Sequence, residues 1–318
     1  MTSEKNGSRF QRWKKPLTLA FFVLLIVLFT LLARRIDWSE VLQTLSEFKV
    51  RTLLIAGALT VCSFIVYACF DLIGRTYIRQ PLRWKQILPV GIISYAFNLN
   101  LSAWVGGIAM RYRLYSRLGV STGNIAKILG LSLATNWFGY MAISGVIFSS
   151  GLVTMPPGWK VSTTALQGIG ALLVLASLGY LVACQFSKKR AWTIRGMEIN
   201  LPSLRMACLQ LMLGALNWSL MAAVIFTLLP AKLDYPLVLG VLLISAIAGV
   251  LTHIPAGLGV LEAVFIGLLQ HEASRGSLLA GLIAYRAIYF ICPLLIALVM
   301  YLGVEAKAKA LRVKKTPA

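Results

Sequence analysis

The sequence predicts an all-α, polytopic membrane protein, with about six full spans plus two broken, re-entrant hairpins arranged as an inverted repeat. Three observations predict it. Of 318 residues, 58% are hydrophobic and 13% charged, and several apolar runs reach the ~18–20 residues needed to cross a bilayer core. Two further apolar runs are interrupted by Gly, Pro or Asn at corresponding places in the two halves of the chain. Finally, the Lys and Arg residues fall mostly on one side of the topology that those runs define.

The first apolar run, 17–33, follows Lys5, Arg9, Arg12, Lys14 and Lys15. Arg34 and Arg35 come next, where a cleaved leader would carry a small-x-small site, so the run reads as an uncleaved span behind a basic, cytoplasmic segment 1–16. Residues 36–48 bring Ile36, Val41, Leu42, Leu45 and Phe48 to roughly one face, and Asp37 followed by Glu40 has capping-box spacing. Such a helix either lies on the headgroups or connects spans while packed on protein. Full spans are expected over 53–73, 128–152, 165–184, 206–229 and 278–304. The connection 187–205 is polar and basic, with Pro202 just before the next span, and 305–318 is a basic, cytoplasmic tail. Residues 17–304 thus form one transmembrane domain with halves 17–152 and 165–304.

The broken runs are 87–110, interrupted by Asn98, Asn100 and Gly106-Gly107, and 235–270, interrupted between Pro255 and Gly259. Each carries a charge five residues after its first Gly: Arg111 after Gly106, and Glu262 after Gly257. If each run leaves the membrane on the side it entered, cytoplasmic segments hold 23 Lys and Arg, outer segments hold 7, and Arg286 alone lies within a span. A single crossing by 87–110 would instead turn Arg111, Arg113, Arg117 and Lys127 outward. The hairpin reading makes each half span, span, hairpin, span, with opposite insertion and both termini cytoplasmic. Paired, Gly-broken segments of this kind surround the substrate in many secondary transporters, and irregular backbone at membrane depth lines a cavity.

A charge at the centre of a membrane helix costs about 2.5–3.5 kcal/mol on insertion scales, so Glu262 and Arg286 need partners. The simplest account pairs them across neighbouring helices, either as a buried structural ion pair or as a pair that contacts a headgroup and gates. Arg111 opens a basic string with Arg113 and Arg117, interleaved with Tyr112 and Tyr115. That string suits a lipid phosphate, or serves only as a topogenic loop on bulk anionic lipid. Backbone amides at Gly106-Gly107 and at Gly257 to Gly259 stand where half-helices begin and suit an anion. Asp71, four residues before Arg75, is expected to form a helix-surface pair. His253 beside the second break is a proton relay or a hydrogen-bonded structural residue. Asn98, Asn100, Ser132, Asn136 and Asn217 are polar groups in apolar runs, suited to interhelical hydrogen bonds or to lining a cavity.

Enzymatic chemistry is not expected. Only Asp71 and Glu262 are acidic within the apolar runs, and they lie in different halves, which argues against a metal-binding carboxylate cluster or an acid/base pair beside a nucleophile. The five cysteines sit in apolar runs without paired spacing and read as small hydrophobes. No metal or cofactor is expected. The net charge of +21 follows from membrane topology, and no nucleic-acid partner is implied.

Ile254-Pro255-Ala256-Gly257-Leu258-Gly259-Val260-Leu261-Glu262, with Tyr285-Arg286, resembles the C-terminal signature of the lysylphosphatidylglycerol synthase/flippase membrane-region family. Asn98-Leu99 with Gly106-Gly107 and Arg111 resembles its N-terminal signature, and the likeness covers nearly the whole chain. Larger members fuse this region to a cytosolic aminoacyl-lipid synthetase, which this chain is expected to lack. The membrane region is credited with moving aminoacylated lipid between leaflets, and other members are linked to polyprenyl-linked glycosylation or hopanoid metabolism. The resemblance implies a lipid translocase or flippase-like protein of the bacterial inner membrane, handling a phospholipid or lipid-linked headgroup. Its expected partners are membrane lipids, anionic phospholipid above all. The alternative is a non-transporting scaffold or lipid-presenting partner of a lipid-synthesising enzyme.

Overall fold

Long apolar runs leave no polar face for water, so helices built from them bury in lipid or in one another. A computed structural model of the chain describes residues 38–79, 81–101, 107–155, 161–188, 191–194, 197–230, 232–252, 254 and 257–313. The basic segment 1–16 and the span expected over 17–33 lie outside the described residues. Eleven α-helices follow among those described: α1 Trp38–Ser46, α2 Val50–Tyr77, α3 Trp84–Asn100, α4 Met110–Arg117, α5 Thr122–Ser149, α6 Thr163–Phe186, α7 Leu204–Leu228, α8 Tyr235–Thr252, α9 Val260–Leu269, α10 Arg275–Tyr285 and α11 Cys292–Val313. A π-helical segment, Arg286–Ile291, joins α10 to α11.

Six helical segments among the described residues are long and apolar enough to cross a membrane: α2, α5, α6, α7, α8 and the continuous Arg275–Val304. Five of them match the full spans expected over 53–73, 128–152, 165–184, 206–229 and 278–304. The sixth, α8, is the first arm of the second broken run, with 18 residues. Its counterpart α3 has 17 and contains Pro89, while α9 has 10.

Local chemistry sets the starts. Ser121, Ser162, Ser203 and Ser274 each accept a backbone N–H from three residues on, capping α5, α6, α7 and α10. Pro293 lacks the N–H that would continue the ladder, and the π-helical segment just before it absorbs the mismatch. The short helix α1 matches the amphipathic stretch expected over 36–48, and Val41 is buried against Leu279 and Ala280 of α10. On its inner side, therefore, α1 is packed on protein, while Leu42 stays exposed.

The polar, basic connection after α6 is not all loop. Strands β1 Ala191–Ile194 and β2 Met197–Asn200 form an antiparallel ribbon, with Ile194 opposite Met197. Two short runs containing β-branched and aromatic residues, separated by Arg195-Gly196, were the available signal.

Helices α2, α5 and α7 pack on one another at the centre. Gly139 of α5 and Gly214 of α7 meet so closely that a Cβ on either would collide with the other's backbone. Lipid offers helices no hydrophobic drive to associate, so close backbone approach at small residues supplies the packing energy instead. Helix α3 lies on α2, with Gly91 against Ala68, and α8 lies on α7. Each short arm packs on the longer helix of its broken run, α4 on α3 and α9 on α8. The outer face of α6 exposes Leu172, Leu175, Leu178 and Val182, as a lipid-facing helix does.

Candidate functional site

The two breaks organise the polar interior. After α3, residues 102–106, Gly106 among them, lie outside the described residues. The chain resumes at Gly107 in a π-type turn that runs into α4. Gly107 lies close to Asn98: a Cβ there would stand 3.1 Å from Oδ1 of Asn98.

Arg111, in the first turn of α4, is 1% exposed. A guanidinium is tolerated there only with an ionised partner and satisfied donors. Asp71 of α2, 0% exposed, supplies both requirements. Arg111 Nε donates to Asp71 Oδ2 at 3.1 Å and Nη2 to Oδ1 at 3.1 Å. Nη2 also donates to Ser132 Oγ at 3.3 Å, and Nη1 donates to the Gly107 carbonyl at 3.1 Å. The Tyr115 hydroxyl donates to Asp71 Oδ2 at 2.9 Å. Two expectations are corrected here. Asp71 is not a surface residue, and its carboxylate is held by Arg111 and Tyr115. Arg111 is not part of an open basic string; Arg113 and Arg117 are exposed, while Arg111 is enclosed because Asp71 neutralises it.

The second break carries the same components with the charges exchanged between elements. After α8, His253, Pro255 and Ala256 lie outside the described residues. Gly257 and Gly259 adopt φ of +57° and +77°, a region that costs an L-residue roughly 1–2 kcal/mol. Gly259 caps α9, which places Glu262 in its first turn, where the helix dipole favours a carboxylate. Arg286 begins the π-helical segment. Its Nε donates to Glu262 Oε1 at 2.6 Å, and Nη2 donates to Glu262 Oε2 at 3.2 Å and to the Gly257 carbonyl at 2.9 Å. The expected Glu262–Arg286 pairing is present, and unlike the first pair it is partly exposed, at 17% and 15%. In both halves an arginine grips a glycine carbonyl of the break together with a carboxylate.

Beside the second pair lies a cavity of about 270 Å³ between α7, α8, α9 and the π-helical segment, with Trp218, Met221, Ser245, Gly257, Tyr285 and Arg286 among its walls. The lining is mostly apolar, Arg286 carries its charge, and the buried Tyr285 hydroxyl has no hydrogen-bond partner among the described residues. Such a mixture of apolar wall and few polar groups suits a ligand.

A third cluster ties the halves together, and sequence reasoning anticipated only Asn217 in it. Ser63 Oγ donates to Asn217 Oδ1 at 2.8 Å and lies 2.6 Å from the Tyr289 hydroxyl, which lies 2.9 Å from that of Tyr95. Asn100 donates to the carbonyls of Ala96 and Phe290 at 2.9 and 3.0 Å, linking the end of α3 to the π-helical segment. Asn136 offers its backbone carbonyl to Trp218 Nε1 at 3.3 Å. The signal for the missed residues was several tyrosines in apolar runs, each needing a hydroxyl partner once buried. Among the described residues, no three of His, Cys, Asp and Glu come together as metal ligands.

Comparison with known proteins agrees with this architecture. The chain is 47% identical to "Inner membrane protein YbhN" of Escherichia coli (strain K12), over 99% of each chain. It is 28% identical to "Uncharacterized protein slr0712" of Synechocystis sp., over 81% of this chain and 80% of that one. It is also 20% identical to "Phosphatidylglycerol lysyltransferase" of Staphylococcus xylosus, over 94% of this chain but 35% of that protein. The model of the family described as "Lysylphosphatidylglycerol synthase TM region" matches residues 17–297, and the chain, a multi-pass α-helical membrane protein with paired charges at two broken helices, belongs to that family.

Proposed function

We propose that this protein is a lipid translocase of the bacterial inner membrane, one that carries the headgroup of a phospholipid or lipid-linked compound past the second break. The single observation that supports it most is Arg286 on the wall of an apolar cavity, gripping both Glu262 and the Gly257 carbonyl. Phosphate and carboxylate present the same bidentate geometry to a guanidinium. A headgroup phosphate therefore competes with Glu262 for Arg286, and the exchange, with the displaced carboxylate turned toward water from its part-exposed position, frees α9 to swing about Gly257 and Gly259. The partial exposure of this pair, against the full burial of Asp71–Arg111, suits the second pair to move and the first to hold.

The reading includes an inverted repeat. Its support is a packing pattern that maps onto itself when the halves are exchanged: α2 with α3 and α7 with α8, α4 with α5 and α9 with α10, α3 with α11 and α8 with α5. In this reading the hairpins are inserted from opposite sides, and Thr122 and Glu272, both exposed, follow them on opposite sides of the membrane. Cysteines placed singly at these positions in a cysteine-free background should be labelled in intact cells at 272 and shielded at 122; the same accessibility at both would remove the inverted repeat. The protein acts without covalent chemistry, and its cargo includes anionic phospholipid.

Reconstitution tests the function. Purified protein in liposomes should speed leaflet exchange of a headgroup-labelled fluorescent phospholipid, and Glu262→Gln and Arg286→Ala should abolish the acceleration while leaving insertion intact. Absence of any acceleration by the wild-type protein would support a scaffold or lipid-presenting role instead. Wild-type rates in both variants would take the pair out of the mechanism.

A further inference from the structure

We infer a second lipid site, separate from the Arg286 cavity: a groove between the end of α2 and the start of α7 that holds one phospholipid of the adjoining leaflet by its phosphate and one acyl chain. The groove encloses about 410 Å³, and its walls include Cys69 and Ile73 of α2 with Arg205, Met206, Leu209 and Leu213 of α7. Ser63 and Asn217 tie the same two helices at 2.8 Å, and the groove opens on the Arg205 side of that tie.

Its dimensions and charge name the occupant. From Ser203, the cap of α7, to Leu213 the wall spans ten residues, which is about 15 Å at 1.5 Å per residue. Half of a hydrocarbon core of roughly 30 Å is the same depth. The groove therefore matches one leaflet's acyl layer and ends where headgroups begin. There the wall changes from apolar to polar, and Arg205 is its one charged residue. Arg205 is exposed and has no ion-pair partner among the described residues. An arginine at the mouth of a leaflet-deep apolar groove fits a phosphodiester with its chain against the wall. Inorganic phosphate alone would leave the apolar wall unfilled, so the chain is part of the ligand.

The test is native mass spectrometry of the delipidated full-length protein, titrated with phosphatidylglycerol or with diacylglycerol of the same chains. Arg205→Gln should weaken one phosphatidylglycerol-binding step about five-fold, the value of one surface cation near an anionic headgroup, and leave diacylglycerol unchanged. Leu209→Trp, which fills the groove from a partly exposed position, should weaken both lipids. Arg286→Ala should leave this step intact, so failure here and failure of the translocase reading are separable. Glycerophosphoglycerol without chains should not compete. Unchanged binding in Arg205→Gln would overturn the headgroup assignment, unchanged binding in Leu209→Trp would overturn the acyl groove, and loss of the step in Arg286→Ala would overturn its separateness. Matching elution profiles and melting temperatures for the variants tie any loss to the groove.

Discussion

Asp71→Asn is expected to be among the most damaging conservative changes in this protein. The substitution keeps size and shape but leaves Arg111, 1% exposed, without a counter-ion. Of its acceptors, the Gly107 carbonyl, Ser132 Oγ and one amide oxygen at position 71 remain, and none bears a charge, while the new amide NH2 faces the guanidinium. Removing one member of a buried pair costs about 3–5 kcal/mol, against a total stability on the order of 5–15 kcal/mol. Arg111→Met leaves the Asp71 carboxylate buried with Tyr115 alone among the described residues to donate to it, and a loss of similar size is expected. The double variant Asp71→Asn/Arg111→Met removes both charges, and it should recover to within roughly 1–2 kcal/mol of wild type, because replacing a buried pair with neutral groups is often near neutral. The assay is denaturant unfolding of the purified protein in bicelles, run as a double-mutant cycle. Single-variant losses below about 1 kcal/mol, or a double variant that loses the sum of the two, would refute the idea that this pair holds the first break in place.

Three further outcomes follow from the packing and backbone. Gly259→Ala places a side chain at φ +77° and should cost about 1–2 kcal/mol in the same unfolding assay, with α9 frayed in hydrogen exchange. Gly139→Ala drives a methyl group into the backbone of Gly214 and should cost about 1–3 kcal/mol by overpacking, while Gly130→Ala, with open space around it, should lose nothing measurable. Asn100→Ala removes the tie between α3 and the Phe290 carbonyl and should cost about 1 kcal/mol, read as a lower melting temperature without loss of insertion.

The Glu262–Arg286 pair was legible because both charges sit inside apolar runs and each had few neutralising candidates. The Asp71–Arg111 pair was hidden by a closer suggestion: Arg75, one helical turn after Asp71, satisfied the local rule. The actual partner lies forty positions along the chain, and it meets Asp71 only because α4 packs back against α3, which in turn rests on α2. Burial explains the difference as well. A basic string reads the same whether its first arginine faces water or a carboxylate, and Arg111 differs from Arg113 only through what surrounds it. In the cluster of Ser63, Tyr95, Asn217 and Tyr289 only Asn217 was legible, as a polar group in an apolar run, and its partners were hidden for the same reason: the members come from four different segments, and no spacing links them.

What the amino-acid order determined by itself was the membrane class, the positions of five spans, the two breaks and the charges that needed partners. Hydrophobic length is a sum over some twenty consecutive residues, and a glycine or proline acts on its own backbone, so both are local quantities. Which carboxylate each arginine meets, which pair is sealed and which borders a cavity, and where the leaflet-deep groove opens were decided only by tertiary structure. Those outcomes depend on distances between helices far apart in the chain, set by contacts as small as the meeting of Gly139 with Gly214.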